Sequence, residues 1–250
     1  MLKLMKYEFR KQAFSKAVIL ILVGLLEVIF FYGVIADKEN TIALSMSLLA
    51  MFAAGAMFYI AFESILTFSN DLKQKCSYML FLTPNTSYGI VGAKVLAAGI
   101  QVIIAAVVFF LVFAIDGTVL LAKYDEIANL KLFIEELMRE LFKLNISLSD
   151  VISVVSLFVT AWISTITVAF FSITLSTTFL ANNKFKGVLS FAIFIALNMI
   201  FNKLMNVLIQ TPVESSKLTL YFTLSSASML IFTIVTYVGT AWMLDKKVSV

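Results

Sequence analysis

AVILILVGLLEVIFFYGVIA, residues 17–36, is the stretch on which the fold turns. Its 20 residues hold one charge, Glu27, and no proline. At the rise of an α-helix such a run covers about 30 Å, the thickness of a bilayer's hydrocarbon core. Lipid offers no water to backbone N–H and C=O groups, so the run must close its own hydrogen bonds as a helix. Five further apolar runs follow, at 41–68, 88–115, 151–180, 187–209 and 218–244. The expected fold class is all-α: a polytopic membrane protein with six transmembrane helices. Composition agrees, with 61% hydrophobic residues, 14% charged residues and a mean hydropathy of +1.01. A soluble domain carries about 25% charged residues. The runs at 41–68, 88–115 and 151–180 count 28, 28 and 30 residues and are expected to tilt or to project from the membrane.

Working outward from residue 17, the preceding stretch MLKLMKYEFRKQAFSK is basic and amphipathic. Leu2, Met5 and Phe9 recur at helical spacing, with Lys3, Lys6, Arg10 and Lys11 elsewhere on the wheel. It reads as an interfacial helix on an anionic leaflet. The expected organisation is this helix over 1–16 and a six-helix transmembrane domain over 17–250. That domain includes a polar cytoplasmic segment at 69–87 and an outer helical insert at 116–150. A cleaved leader is not expected, because the apolar run is too long for one and holds Glu27.

Charge orients the chain. With the N-terminus inside, the cytoplasmic side carries twelve Lys/Arg and three acids, and the outer side seven Lys/Arg and ten acids. This bias follows the positive-inside rule and places both termini in the cytoplasm, with the cell membrane as the expected location. The net charge of +4 is thus a signal of topology, and no nucleic-acid partner is expected.

The chain contains no histidine and one cysteine, Cys76. Ser-His and Cys-His nucleophile pairs, HExxH zinc sites and internal disulfides are therefore unavailable. No G-x-x-x-x-G-K-[ST] occurs, so a phosphate-cradling loop is missing. The six runs as drawn contain no aspartate, so an aspartyl pair inside the membrane is not expected. Neither a catalytic residue nor a metal ligand set emerges, and no enzyme activity is expected.

Four features remain as candidates. The stretch 71–80 reads as a short helix with Leu72, Cys76, Met79 and Leu80 on one face and Asp71, Lys73 and Lys75 as polar neighbours. Pro84 disfavours helix at Thr83, and Asn85-Thr86-Ser87 can cap the next helix. Between two long membrane helices this segment is either a lever or a loop resting on the headgroups. Second, Glu27 and Glu63 sit in apolar runs, where an acid is costly and marks a functional site by default. Glu63 lies near the cytoplasmic end, within reach of a basic residue such as Lys16 or Lys94; Glu27 is expected in a cavity or helix contact. Third, Asn198, Asn202 and Asn206 stack at i, i+4, i+8, either as interhelical hydrogen-bonders or, with Glu27, as a cargo path or a dimer seam. The hydroxyls of Thr160, Ser164, Thr167, Thr174 and Thr178 read instead as interhelical hydrogen-bonders. Fourth, the insert carries Ile127, Leu130, Ile134, Leu137, Met138 and Leu141 on one face, as a gate or as a passive amphipathic linker.

The stretch YMLFLTPNTSYGIVGAKVL, residues 78–96, resembles a signature of ABC-2-type transporter permeases. In that family a cytoplasmic segment ends in Leu, a small residue and Pro, and the next membrane helix enters with an apolar pair and a Lys. The opening Lys6-Tyr7-Glu8-Phe9-Arg10-Lys11 is similar to the family's amphipathic N-terminal helix. Family members often carry a basic residue just after the Pro, where this chain has Asn85-Thr86-Ser87. The resemblance implies that Asp71, Leu72, Lys73, Cys76, Tyr78, Leu80, Leu82 and Pro84 form a coupling segment docked on a soluble ABC ATPase subunit. ATP and Mg would be bound by that partner and no cofactor by this chain. A homodimeric permease exporting lipophilic or amphipathic cargo, such as a peptide, a drug or a lipid-like molecule, is what the family would make of this layout. The alternative from another class is a non-transporting membrane scaffold, sensor or immunity protein.

Overall fold

A computed structural model describes residues 2–73, 86–124, 148–179, 186–208 and 218–246. Among these the secondary structure is helical throughout, with no strand. The helices are α1 (Leu2–Lys11), α2 (Ala13–Ile35), α3 (Glu39–Lys73), α4 (Ser87–Lys123), α5 (Leu148–Phe179), α6 (Lys186–Leu208) and α7 (Leu218–Lys246). Six of them, α2 to α7, are long and apolar enough to cross a membrane. The chain is an all-α, multi-pass membrane protein.

Local chemistry explains the boundaries. Gln12, at φ −102° and ψ 6°, interrupts the helix between α1 and α2. The turn from α2 to α3 is three residues long, with Asp37 in the left-handed region at φ 51°. Asp tolerates that conformation better than most side chains. The Lys38 N–H then reaches back to the Gly33 carbonyl at 3.0 Å, closing α2 in a Schellman arrangement. The carbonyl of Lys38 in turn accepts from Thr41 and Ile42 at 3.0 and 3.1 Å and opens α3. Gly33 is required by this closeness: a Cβ there would stand 3.1 Å from both the backbone nitrogen and Cγ1 of Ile42. At the start of α4 the Thr86 hydroxyl accepts from the Gly89 N–H at 3.2 Å, an N-cap of the kind the Asn-Thr-Ser turn suggests.

Two compact units make up the chain. The first comprises residues 1–5, 64–99 and 147–250. Its core gathers Phe68, Val91, Val95, Ala98, Ile166, Phe170, Ile173, Ala241 and Leu244. Phe68 and Phe170 stack with centroids 4.1 Å apart. Helices α5 and α7 pack closely because the contact is made of small residues: Thr240 and Ala241 are wholly buried, and a Cβ on Gly239 would meet the Phe171 ring at 2.7 Å. The hydroxyls of α5 mostly bond their own helix: Thr160 donates to the Ser156 carbonyl, Thr174 to Phe170 and Thr178 to Thr174, each at 2.9 Å. One interhelical bond, from Thr236 to Thr167 at 3.2 Å, fits the expected role as glue.

The second unit comprises residues 6–63 and 100–146. Val23, Ala53, Ala56 and Phe109 form its core, flanked by Ile19, Phe52, Met57, Ala105, Val112 and Phe113. Helix α4 continues to Lys123, eight residues beyond the sequence-based end at 115. The reason is visible in 117–122, GTVLLA, which stays apolar after a single acid. The expected insert at 116–150 therefore begins with two turns of helix, and its proposed amphipathic core lies outside the described residues.

Candidate functional site

The continuation of α4 carries Asp116 into the second unit. Val102, Phe109 and Asp116 recur every seven residues and are all buried, Asp116 to 1% exposure. Asp116 is thus the next member of the stripe that packs the helix. Opposite it on α2 stands Glu27, half-buried, and the two carboxyls are immediate electrostatic neighbours.

The register of this contact can be checked two turns farther on. Seven residues beyond Glu27 is Val34, and seven beyond Asp116 is Lys123, whose ammonium donates to the Val34 carbonyl. Equal steps along both helices mean that α2 and α4 run parallel, with the acid pair about 10 Å inward of the lysine level. Lys123 also pairs with Asp37 at 2.6 Å, so its charge is already engaged.

Neither carboxyl oxygen of Asp116, nor Oε1 of Glu27, has a hydrogen-bond partner among the described residues. Two ionised carboxyls facing one another offer only acceptors. An acid at the centre of a membrane helix already costs about 2.5–3.5 kcal/mol on insertion scales, and a second beside it adds repulsion. No third carboxylate, histidine or cysteine joins them as a metal-ligating group among the described residues. The arrangement can hold a proton between two carboxyls, or a small cation.

Sequence reasoning finds Glu27 and misses its partner, because Asp116 reads as the first residue of a polar loop. The expectation of no aspartate in a membrane run is therefore corrected. The seven-residue recurrence through Phe109 was the signal that could have found it.

The other candidates lie elsewhere. Glu63 accepts from Ser15 and pairs with Lys16, the structural role expected for it. Asp71 pairs with Lys94 at 2.5 Å, with side chains 12% and 5% exposed. Leu72 packs against the core of the first unit, so it anchors the base of the coupling segment. Lys73 closes α3. Cys76, Tyr78, Leu80, Leu82 and Pro84 lie outside the described residues. On α6, Asn198 donates to the Phe194 carbonyl at 2.8 Å, while Asn202 and Asn206 are exposed. The asparagines and Glu27 belong to different compact units. An apolar groove of about 850 Å³ runs along α2 and α3, lined by Val18, Leu22, Met51, Phe52 and Tyr59 among others.

The class these features define is a polytopic helical membrane protein with a buried acid pair. No protein-family model, no curated protein and no solved structure matches the chain.

Proposed function

We propose that this chain is the permease subunit of an ATP-driven ABC exporter. Two copies span the cell membrane with both termini in the cytoplasm. A separate ATPase subunit, carrying ATP and Mg, docks on the 69–87 segment, and lipophilic or amphipathic cargo moves outward. The resemblance of 78–96 to permease signatures supplies the family. The observation that carries the reading is the ion pair at the base of that segment. Asp71 near the end of α3 and Lys94 two turns into α4 are held together at 2.5 Å and largely shielded from solvent. A push on the chain between them is thereby delivered to both helices at once.

Length supports this role. The 35 residues of α3 and 37 of α4 reach about 50 Å each, beyond the roughly 30 Å of hydrocarbon. Pairing with a second copy is supported by Asn202 and Asn206, polar amides exposed on a helix whose candidate span buries no residue. Amides on membrane helices are commonly met by another helix.

The test is a charge exchange. Asp71→Lys breaks the pair and should abolish the coupling of ATP hydrolysis to transport while the helices remain inserted. Adding Lys94→Asp restores the pair in reverse and should recover most of the loss. If Asp71→Lys transports and hydrolyses normally, the clamp is not part of a coupling device.

A further inference from the structure

The acid pair in the second unit has no place in the exporter reading and does not depend on it. We propose that Glu27 and Asp116 form a proton-binding site within the membrane, with one proton shared between the two carboxyls at neutral pH.

Three observations converge. Glu27 and Asp116 are neighbours across the α2–α4 seam, placed there by the packing of Val23 with Phe109 and by the Lys123–Val34 contact seven residues on. Asp116 is 99% buried by exposure and both its oxygens lack a donor. The seam is also short of other charge. On α2 no ionisable side chain lies between Lys16 and Tyr32 except Glu27, and on α4 none between Lys94 and Lys123 except Asp116. On α3, which packs in the same core, none lies between Glu39 and Tyr59. Among the described residues the cations toward the outer end are spoken for: Lys123 meets Asp37 and the Val34 carbonyl, and Lys38 meets the Tyr32 hydroxyl at 3.2 Å. At the other end Lys16 meets Glu63. The charged residues of α1 in this unit, Lys6, Glu8, Arg10 and Lys11, precede Lys16 by at least a turn.

With no donor and no counter-ion among the described residues, the partner that two acceptors call for is a hydrogen. A carboxylic acid on one residue then donates to the carboxylate of the other, and the pair carries one negative charge in place of two. Release passes the proton to a water molecule, leaving two carboxylates and a hydronium ion. The doubly ionised pair repels itself along the line between α2 and α4, so loading the proton favours a closed seam and losing it favours an open one. The site takes a proton from water and returns it as the two helices separate.

Infrared spectroscopy of the full chain in lipid vesicles reads this directly. The wild type should show a protonated-carboxyl C=O band at neutral pH, shifted in D2O and lost at alkaline pH. Labelling with 13C-aspartate or 13C-glutamate should shift the band with one or both labels, an observation that needs no variant. Glu27→Gln and Asp116→Asn each supply an amide donor in place of the proton, so each should lose the neutral-pH band. Spectra in sodium and in N-methylglucamine separate the ligands. Absence of the band from the wild type in both salts overturns the proposal. So does a band that persists unchanged in both variants, since it then belongs to other acids. A band present in N-methylglucamine and absent in sodium also overturns it, by showing a cation site.

Discussion

A single methylene can matter where helices nearly touch. Gly33 sits under Ile42 at the α2–α3 turn, with 3.1 Å available to a Cβ. Gly33→Val should force the α2–α3 hairpin apart at an overpacking cost of about 1–3 kcal/mol. A drop in the thermal midpoint of the purified protein in detergent would show it; an unchanged midpoint would mean the turn gives way freely. The Phe68–Phe170 stack behaves differently. In a soluble core Phe→Ala costs about 3–5 kcal/mol. Lipid is as apolar as the side chain it replaces, so Phe170→Ala should cost less, about 1–3 kcal/mol, through lost packing alone. Comparing unfolding of Phe170→Ala with that of an exposed-face control such as Phe110→Ala, expected near zero, checks that difference.

Helices are the scale at which the sequence is most legible. Six spans were readable from apolar length, because the bilayer admits few alternatives to a closed helix. The Thr86 cap and the pairing of Glu63 with a basic residue were readable too, since both follow from short-range chemistry. The end of α4 was not. A lone aspartate looks like the start of a loop until one sees that it occupies the packing stripe through Val102 and Phe109. Partners across a seam depend on which faces meet, and no local pattern states that for α2 and α4. For the same reason the sequence does not choose between Lys16 and Lys94 as the partner of Glu63, whereas the structure pairs it with Lys16. The element-scale consequence is testable. Because α2 and α4 run parallel in register, cysteines introduced at Val34 and Lys123, in a Cys76→Ser background, should be joined by a bifunctional thiol reagent that spans about the length of a lysine side chain. Pairing of Val34 with position 116 in preference to 123 would contradict the register.

At the scale of the whole molecule, the proposed function requires the 69–87 segment to lie on the cytoplasmic side of the membrane and to touch a partner there. The Lys/Arg bias of the sequence predicts a cytoplasmic position for it, and the Asp71–Lys94 pair joins the helices that flank it. On the proposed reading, Leu80→Asp or Leu82→Asp should weaken association with an ATPase partner while leaving six helices inserted, because each puts a charge where the sequence has an apolar side chain. Retention of full ATPase association by both variants would remove that face from the interface. The most direct test uses the chain's one cysteine, Cys76, which lies in the segment itself. A bifunctional thiol reagent applied to intact cells and to inverted vesicles should link Cys76, from the cytoplasmic side, to a soluble protein bearing G-x-x-x-x-G-K-[ST]. Labelling of Cys76 only from outside the cell, or cytoplasmic labelling with no such ATPase joined, would contradict the account.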